Sequence, residues 1–294
     1  MSATATATPL PQIAATTRMG AVALTVSDLE RSVRFYQEVV GLEPRGEGSG
    51  AVAMCAGDRV LVRLAGDPAA PARDPRATGL FHLAILLPGR RELAEAIVRL
   101  IRARWPLDGA SDHLVSEALY LSDPDGNGIE IYRDRPRSEW PHQGGSLQMA
   151  TLPLDLDNVL GELGGALDSP PTVPAETVMG HVHLQVSELR RSEAFWSGVV
   201  GFDVTVRGYP GALFVSAGGY HHHLGLNTWH SAGHEPPVAG AVGLRWFEIV
   251  LPDEPAREAV LARLHAADIG VEASGGGWLV RDPSGNAAHL VLAA

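Results

Sequence analysis

The chain has 294 residues, 45% hydrophobic and 19% charged, a composition with enough apolar material for two domains or one large one. Its net charge of −11 argues against a nucleic-acid partner or an anionic membrane, because a polyphosphate is bound by a basic face that releases its counterions. Cys55 is the one cysteine, so no internal disulfide can form; with no signal peptide or apolar run of about 18 residues visible, a soluble cytoplasmic protein is expected.

Residues 1–17 ("MSATATATPLPQIAATT") lack periodicity and are expected to be flexible. In "MGAVALTV" (19–26) Val22, Leu24 and Val26 alternate with their neighbours, the period of a half-buried strand. Ser27 stands at an N-cap position with Glu30 three residues on, as in a capping box. Val33, Phe35, Tyr36, Val39 and Val40 then form a helical stripe that Gly41 ends. From Gly79, "GLFHLAILLPGRRELAEAIVRL" reads as a strand, a Pro-marked break and an amphipathic helix, and "LSDPDGNGIEIY" from Leu121 as two strands joined by a tight Asp-Pro-x-Gly-Asn turn. A calcium loop at Asp123, Asp125 and Asn127 is rejected, since the Pro and the flanking strands suit a hairpin turn better.

After a connection over 138–177 the pattern repeats. "MGHVHLQVSELRRSEAFWSGVVGFDV" from Met179 echoes the first segment, with Ser187 at the cap position, and "GLRWFEIVLP" and "VRDPSGNAAHLV" echo the second. The chain is thus four βαβββ modules at about 19–66, 78–133, 179–228 and 242–292. Modules one and two make an N-terminal half, 18–137; modules three and four make a C-terminal half, 178–294.

Four such modules carrying "SDLERS", "FYQEVVGL" and "DPDGNGIE" resemble the vicinal oxygen chelate superfamily of glyoxalases and extradiol dioxygenases. "GLFHLAILLP", "SEALYLSDPDGNGIEIYRDRPRSEW" and "ALFVSAGGYHHHLGLNTW" resemble its CatE-type catechol 2,3-dioxygenases. The resemblance implies an α+β fold in which modules pair to curl two mixed sheets into cups with flanking helices. It implies a divalent metal in a cup, held from the first and last strands of each module. Module one offers Ala21 there, module two His82 and Glu130, module three His181, with His183 on the same face and the His221–His223 run on its last strand. Module four offers Trp246 and His289, most simply core fillers.

Extradiol enzymes hold Fe(II) or Mn(II) with two histidines and one carboxylate. Sequential pairing of modules, the more usual arrangement, leaves that triad incomplete in both cups. Pairing module two with module three completes it with His82, Glu130 and His181, and puts Ala21 in a metal-free cup with module four. The stretch from 134 to 177, roughly 44 residues, can extend over about 130 Å, so chain length permits this.

By the same resemblance His222 is the acid–base residue, although a shift of one residue would make it His223. His113 and Tyr120 lie near bound oxygen, and His183 and His223 are substrate contacts. The partners implied are a small aromatic diol and O2, with the chain a homodimer. Leu114 departs from the pattern, which commonly has Gly there. Two other functions stay open: a glyoxalase-like isomerase or lyase with a fourth ligand from 221–223, and a non-catalytic protein that binds an aromatic drug near Trp246.

Overall fold

The computed structural model describes residues 12–48, 50–165 and 169–293. Module one supplies β1 (Arg18–Val26), α1 (Leu29–Phe35), β2 (Glu43–Gly46), β3 (Ala51–Ala56) and β4 (Arg59–Gly66). Module two supplies β5 (Gly79–Leu87), α2 (Arg90–Ala103), β6 (Gly109–Asp112), β7 (Ser116–Ser122) and β8 (Gly128–Asp134). The connection carries β9 (His142–Gln143), β10 (Ser146–Leu147), β11 (Leu152–Pro153) and α3 (Leu156–Leu160). Module three supplies β12 (Val178–Gln185), α4 (Leu189–Phe195), β13 (Asp203–Val206), β14 (Ala212–Ser216) and β15 (Leu224–Asn227). Module four supplies β16 (Gly243–Leu251), α5 (Glu254–Ala266), β17 (Val271–Ser274), β18 (Gly277–Arg281) and β19 (Ala287–Leu292).

Modules do not pair in chain order. One sheet runs β17-β18-β19-β16-β1-β4-β3-β2 and joins modules four and one; the other runs β11-β6-β7-β8-β5-β12-β15-β14-β13 and joins modules two and three. Within each module the first strand lies parallel to the last, and the two first strands meet antiparallel, β1 with β16 and β5 with β12. A lone module would leave its first strand with an unpaired edge, and the joint closes two such edges at once. Each sequence half therefore contributes one module to each sheet, and the division at 138–177 is one of sequence only.

One continuous apolar core, including Tyr36, Trp196, Phe202 and Phe247, spans both sheets and the helices against them. Gly41, at φ +91, ends the first helix as expected, after a last wide turn over Tyr36–Val40. The cap differs from expectation: Asp28, not Ser27, accepts from the Arg31 N–H at 3.0 Å. The Ser27 hydroxyl instead bonds Asp125 in the Asp-Pro-x-Gly-Asn turn of module two at 2.5 Å. Ser187 likewise takes the Ser284 hydroxyl of the module-four turn on its backbone N–H at 3.0 Å, and Glu188 stands at the cap. Both serines thus clasp one sheet to the other. The turns themselves form as read: Asp123 accepts from the backbone of Asp125 and Asn127, and Asp282 from Ser284 and Asn286.

Residues 1–11 of the segment expected to be flexible lie outside the described residues, but 12–17 are tied down. Ile13 is buried and its N–H donates to the Gly201 carbonyl at 2.8 Å, because the apolar side chain completes the core beside module three. The connection is also structured: Val159 and Leu163 are buried in the core and β11 extends the second sheet along β6.

Candidate metal centre and cavity

Three adjacent strands bring the candidate ligands together. On β5, His82 and Ala84 share a face, being two residues apart. Ala84 is flanked by Glu130 on β8 and by His181 on β12. Its methyl leaves open the space over which the three longer side chains converge.

His82 Nε2 and His181 Nε2 each lie 3.0 Å from the same Glu130 oxygen, Oε2. All three residues are buried, and their ligand atoms lie within 4.8 Å of one another. Burial disfavours an ionised Glu130, but His181 and His82 together outweigh it and hold the carboxyl well below its usual range. Burial pushes His181 down to about 4, against the pull of Glu130. An ionised carboxylate beside neutral imidazole is the protonation state that a cation requires. His82 Nε2 is buried without a hydrogen-bond partner among the described residues, despite its closeness to Oε2. A buried, orphaned nitrogen beside a carboxylate oxygen that a second imidazole also approaches fits a metal ligand set.

His82 and Glu130 line a cavity of about 290 Å³, with His181 behind them. His113, Tyr120, His183 and His222 line it, with Phe81, Tyr209, Phe214 and Trp229 as its aromatic wall. The Ala150 carbonyl, 2.7 Å from His113 Nδ1, can only accept, so Nδ1 carries the hydrogen, and Nε2 lies 2.6 Å from the Tyr120 hydroxyl. Tyr120 sits opposite Glu130 in the β7–β8 register, and burial, reinforced by the Glu130 charge, raises its hydroxyl well above the usual range. It therefore stays protonated. The His183 ring centre lies 4.9 Å from that of His82 and 5.1 Å from that of Phe81.

A profile of the Glyoxalase/Bleomycin resistance protein/Dioxygenase superfamily matches residues 18–131 and 178–290. The chain is 43% identical over 272 residues to the catechol-2,3-dioxygenase of Bacillus subtilis (strain 168), covering 91% of this chain and 94% of that one. The chain belongs to this superfamily. Solved structures share the fold at lower identity: a protein of Bacillus subtilis subsp. subtilis str. 168 matches with TM-score 0.63 at 12% identity, over 94% of this chain and 85% of that one. Glyoxalase I of Zea mays matches with TM-score 0.57 at 17% identity, over 94% and 92% of the two chains.

In this superfamily member the second cup is built differently. The positions of His181, His82 and Glu130 are Ala21, Trp246 and His289. Glu248, at the position of Ala84, accepts the backbone N–H of Ala21 at 2.8 Å, and His289 Nε2 lies 2.7 Å from the Ser274 carbonyl. A larger cavity of about 550 Å³ lies there beside Trp246, but the candidate ligand atoms do not reach it.

The histidine run departs from expectation. It precedes β15, which begins at Leu224, because Gly218 and Gly219, at φ +59 and +67, turn the chain before the strand resumes. Of the three, only His222 lines the cavity. His223, expected as a substrate contact, does not: its Nδ1 accepts from the Ala217 N–H at 3.1 Å and its ring packs beside Tyr220 and Phe202. The aromatic wall was not singled out from sequence, although Phe214 and Trp229 lie inside the family-like string. Gly225 was also missed: a β-carbon there would meet the His183 ring at 2.7 Å, so its smallness makes room for that imidazole. Periodicity gives no sign of such a cross-strand need.

Proposed function

We propose that the protein is an extradiol dioxygenase that opens a catechol ring beside its two hydroxyls with O2, on a metal held by His82, Glu130 and His181. The observation that carries this reading is the convergence of two imidazoles and one carboxylate from three neighbouring strands onto one side of an aromatic-walled cavity. Two nitrogens and one oxygen suit Fe(II), with Mn(II) as the alternative. Such an ion, when bound, supplies a chelation point for adjacent catechol oxygens and a place for O2 to bind. A fourth strong ligand would favour a glyoxalase-like isomerase, but among the described residues the group holds three.

The remaining roles fall to the chain. His222, the one member of the run that lines the cavity, takes a phenolic proton on its imidazole. Tyr120, fixed by His113, keeps a hydroxyl near the ligands, and His183 contacts the substrate oxygens. Phe81, Phe214 and Trp229 hold the ring. No arginine or lysine is among the residues lining the cavity, which favours a catechol without an anionic substituent.

Anaerobic loading with Fe(II), followed by catechol and air, should produce a yellow ring-fission product. A carboxylated catechol should be turned over at least about tenfold less efficiently, since an unpaired buried charge costs more than 1.4 kcal/mol. Iron bound at one equivalent with no colour from any catechol would reject the reading.

A further inference from the structure

Behind the cavity a hydrogen-bonded chain leads away from His222. His222 Nδ1 lies 2.8 Å from His221 Nδ1, and His221 Nε2 lies 2.8 Å from Asp134 Oδ1. The Tyr220 hydroxyl donates to Asp134 Oδ2 at 2.9 Å, and the Tyr132 hydroxyl lies 2.8 Å from that of Tyr220. His221 is fully buried.

With both imidazoles neutral, donor arithmetic gives the direction of every bond. A carboxylate accepts only, so His221 Nε2 carries the hydrogen. A neutral imidazole has one N–H, which leaves His221 Nδ1 bare. The hydrogen between the two rings therefore sits on His222 Nδ1. His222 Nε2 makes no hydrogen bond among the described residues and is left as a bare lone pair on a ring that lines the cavity. On the other branch, burial and the Asp134 charge keep the Tyr220 hydroxyl protonated, and with its hydrogen directed at Asp134 it accepts from Tyr132. All donors point towards Asp134.

We infer that Asp134 and His221 are positioning residues that hold His222 in the tautomer whose Nε2 is free to accept a proton from the substrate. The inference rests on the dioxygenase reading above and assigns two residues to it. The substrate O–H bond breaks, an N–H bond forms at Nε2, and the resulting imidazolium still donates from Nδ1 to His221, whose own N–H is anchored on Asp134. The logic is that of a carboxylate that orients a catalytic imidazole, with a second imidazole between them. Without the carboxylate, His221 could donate from Nδ1 instead, and the His222 hydrogen would move to Nε2 and block the acceptor.

The test uses protein with 15N-labelled histidines, kept metal-free for long-range proton–nitrogen correlation spectra, with the His222 signals assigned by their loss in His222→Gln. Wild type should show His222 as a single Nδ1–H tautomer, and Asp134→Leu and His221→Phe should each show a mixture with Nε2–H. With iron loaded, both variants should lose about 100-fold in kcat, the low end for one acid–base group, and change KM by less than about threefold. His222 as Nε2–H in wild type would overturn the inference, whether or not the variants fold. So would a kcat loss in a variant whose tautomer is unchanged. Absence of ring cleavage by wild type would reject the dioxygenase reading alone, because the spectra report the tautomer without turnover.

Discussion

At the residue scale, the ligand set could be read from sequence because the repeats expose it: only where aligned modules differ, Ala21 against His181 or Trp246 against His82, does chemistry stand out from core. Glu130→Gln should lower metal affinity by more than about 100-fold, since outer-sphere partners alone are worth 10–100-fold. His289→Ala should leave affinity unchanged, because its ring serves the Ser274 carbonyl in the other cup. Metal content after dialysis checks both. The reverse pattern would put the metal in the wrong cup. Leu114 had only the departure from Gly to mark it, and the structure gives the reason: it adopts φ +70, with its N–H on the Asp112 carboxylate at 2.8 Å. A β-carbon in that region costs about 1–2 kcal/mol. Leu114→Gly should therefore exceed Leu114→Ala in unfolding free energy by about 1 kcal/mol, a comparison that cancels the lost leucine packing. Equal urea midpoints for the two would refute the strain. His222 could not be separated from His223 by alternation, because the run lies in a turn, and the Asp134–His221 pairing joins residues 87 apart.

At the element scale, strands and helices followed from periodicity, whereas the cap at Ser27 did not, because its best partner is Asp125 on another module. The connection, rich in Pro, Gly and Asp, is held to the sheet by charge. Glu117 on β7 is buried and pairs with Arg90 at 2.9 Å, Arg133 at 2.7 Å and Arg135 at 3.2 Å. Arg90 reaches on to Glu162 at 2.9 Å and to Asn158 at 2.8 Å in the connection. Burial raises the Glu117 pKa, but Arg90 and Arg133 outweigh it, so the folded value lies below the ordinary one. A depressed carboxyl contributes stability that is present above its unfolded pKa, about 4.3, and is lost as pH falls through the folded value. Unfolding free energies of wild type and Glu117→Gln from urea titration should thus differ most at neutral pH, by about 3 kcal/mol for a broken buried pair, and converge as pH falls below about 4. A gap that is constant with pH would refute the ionic contribution.

At the scale of the whole molecule, the pairing of modules decides everything else. It was legible only through chemistry, since βαβββ units pair equally well in either arrangement as far as hydrophobic pattern is concerned, and only the count of ligands distinguished them. The consequence can be tested by cutting the chain. A fragment of residues 1–137 holds β1–β8 but neither β12 nor β16, so both of its first strands would present an open edge where the structure has a partner. Residues 178–294 have the complementary deficiency. Each fragment alone would also divide the continuous core that spans both sheets, and bare strand edges beside exposed apolar surface lead to aggregation rather than folding. Expressed separately, both should be insoluble or lack a cooperative thermal transition. Co-expressed, they should form a one-to-one complex that binds metal, because His82 and Glu130 come from one fragment and His181 from the other. If modules instead paired within each half, 1–137 alone would fold cooperatively and bind no metal tightly, having Ala21 where the second imidazole is needed. The two arrangements therefore differ in solubility, in melting behaviour and in bound iron.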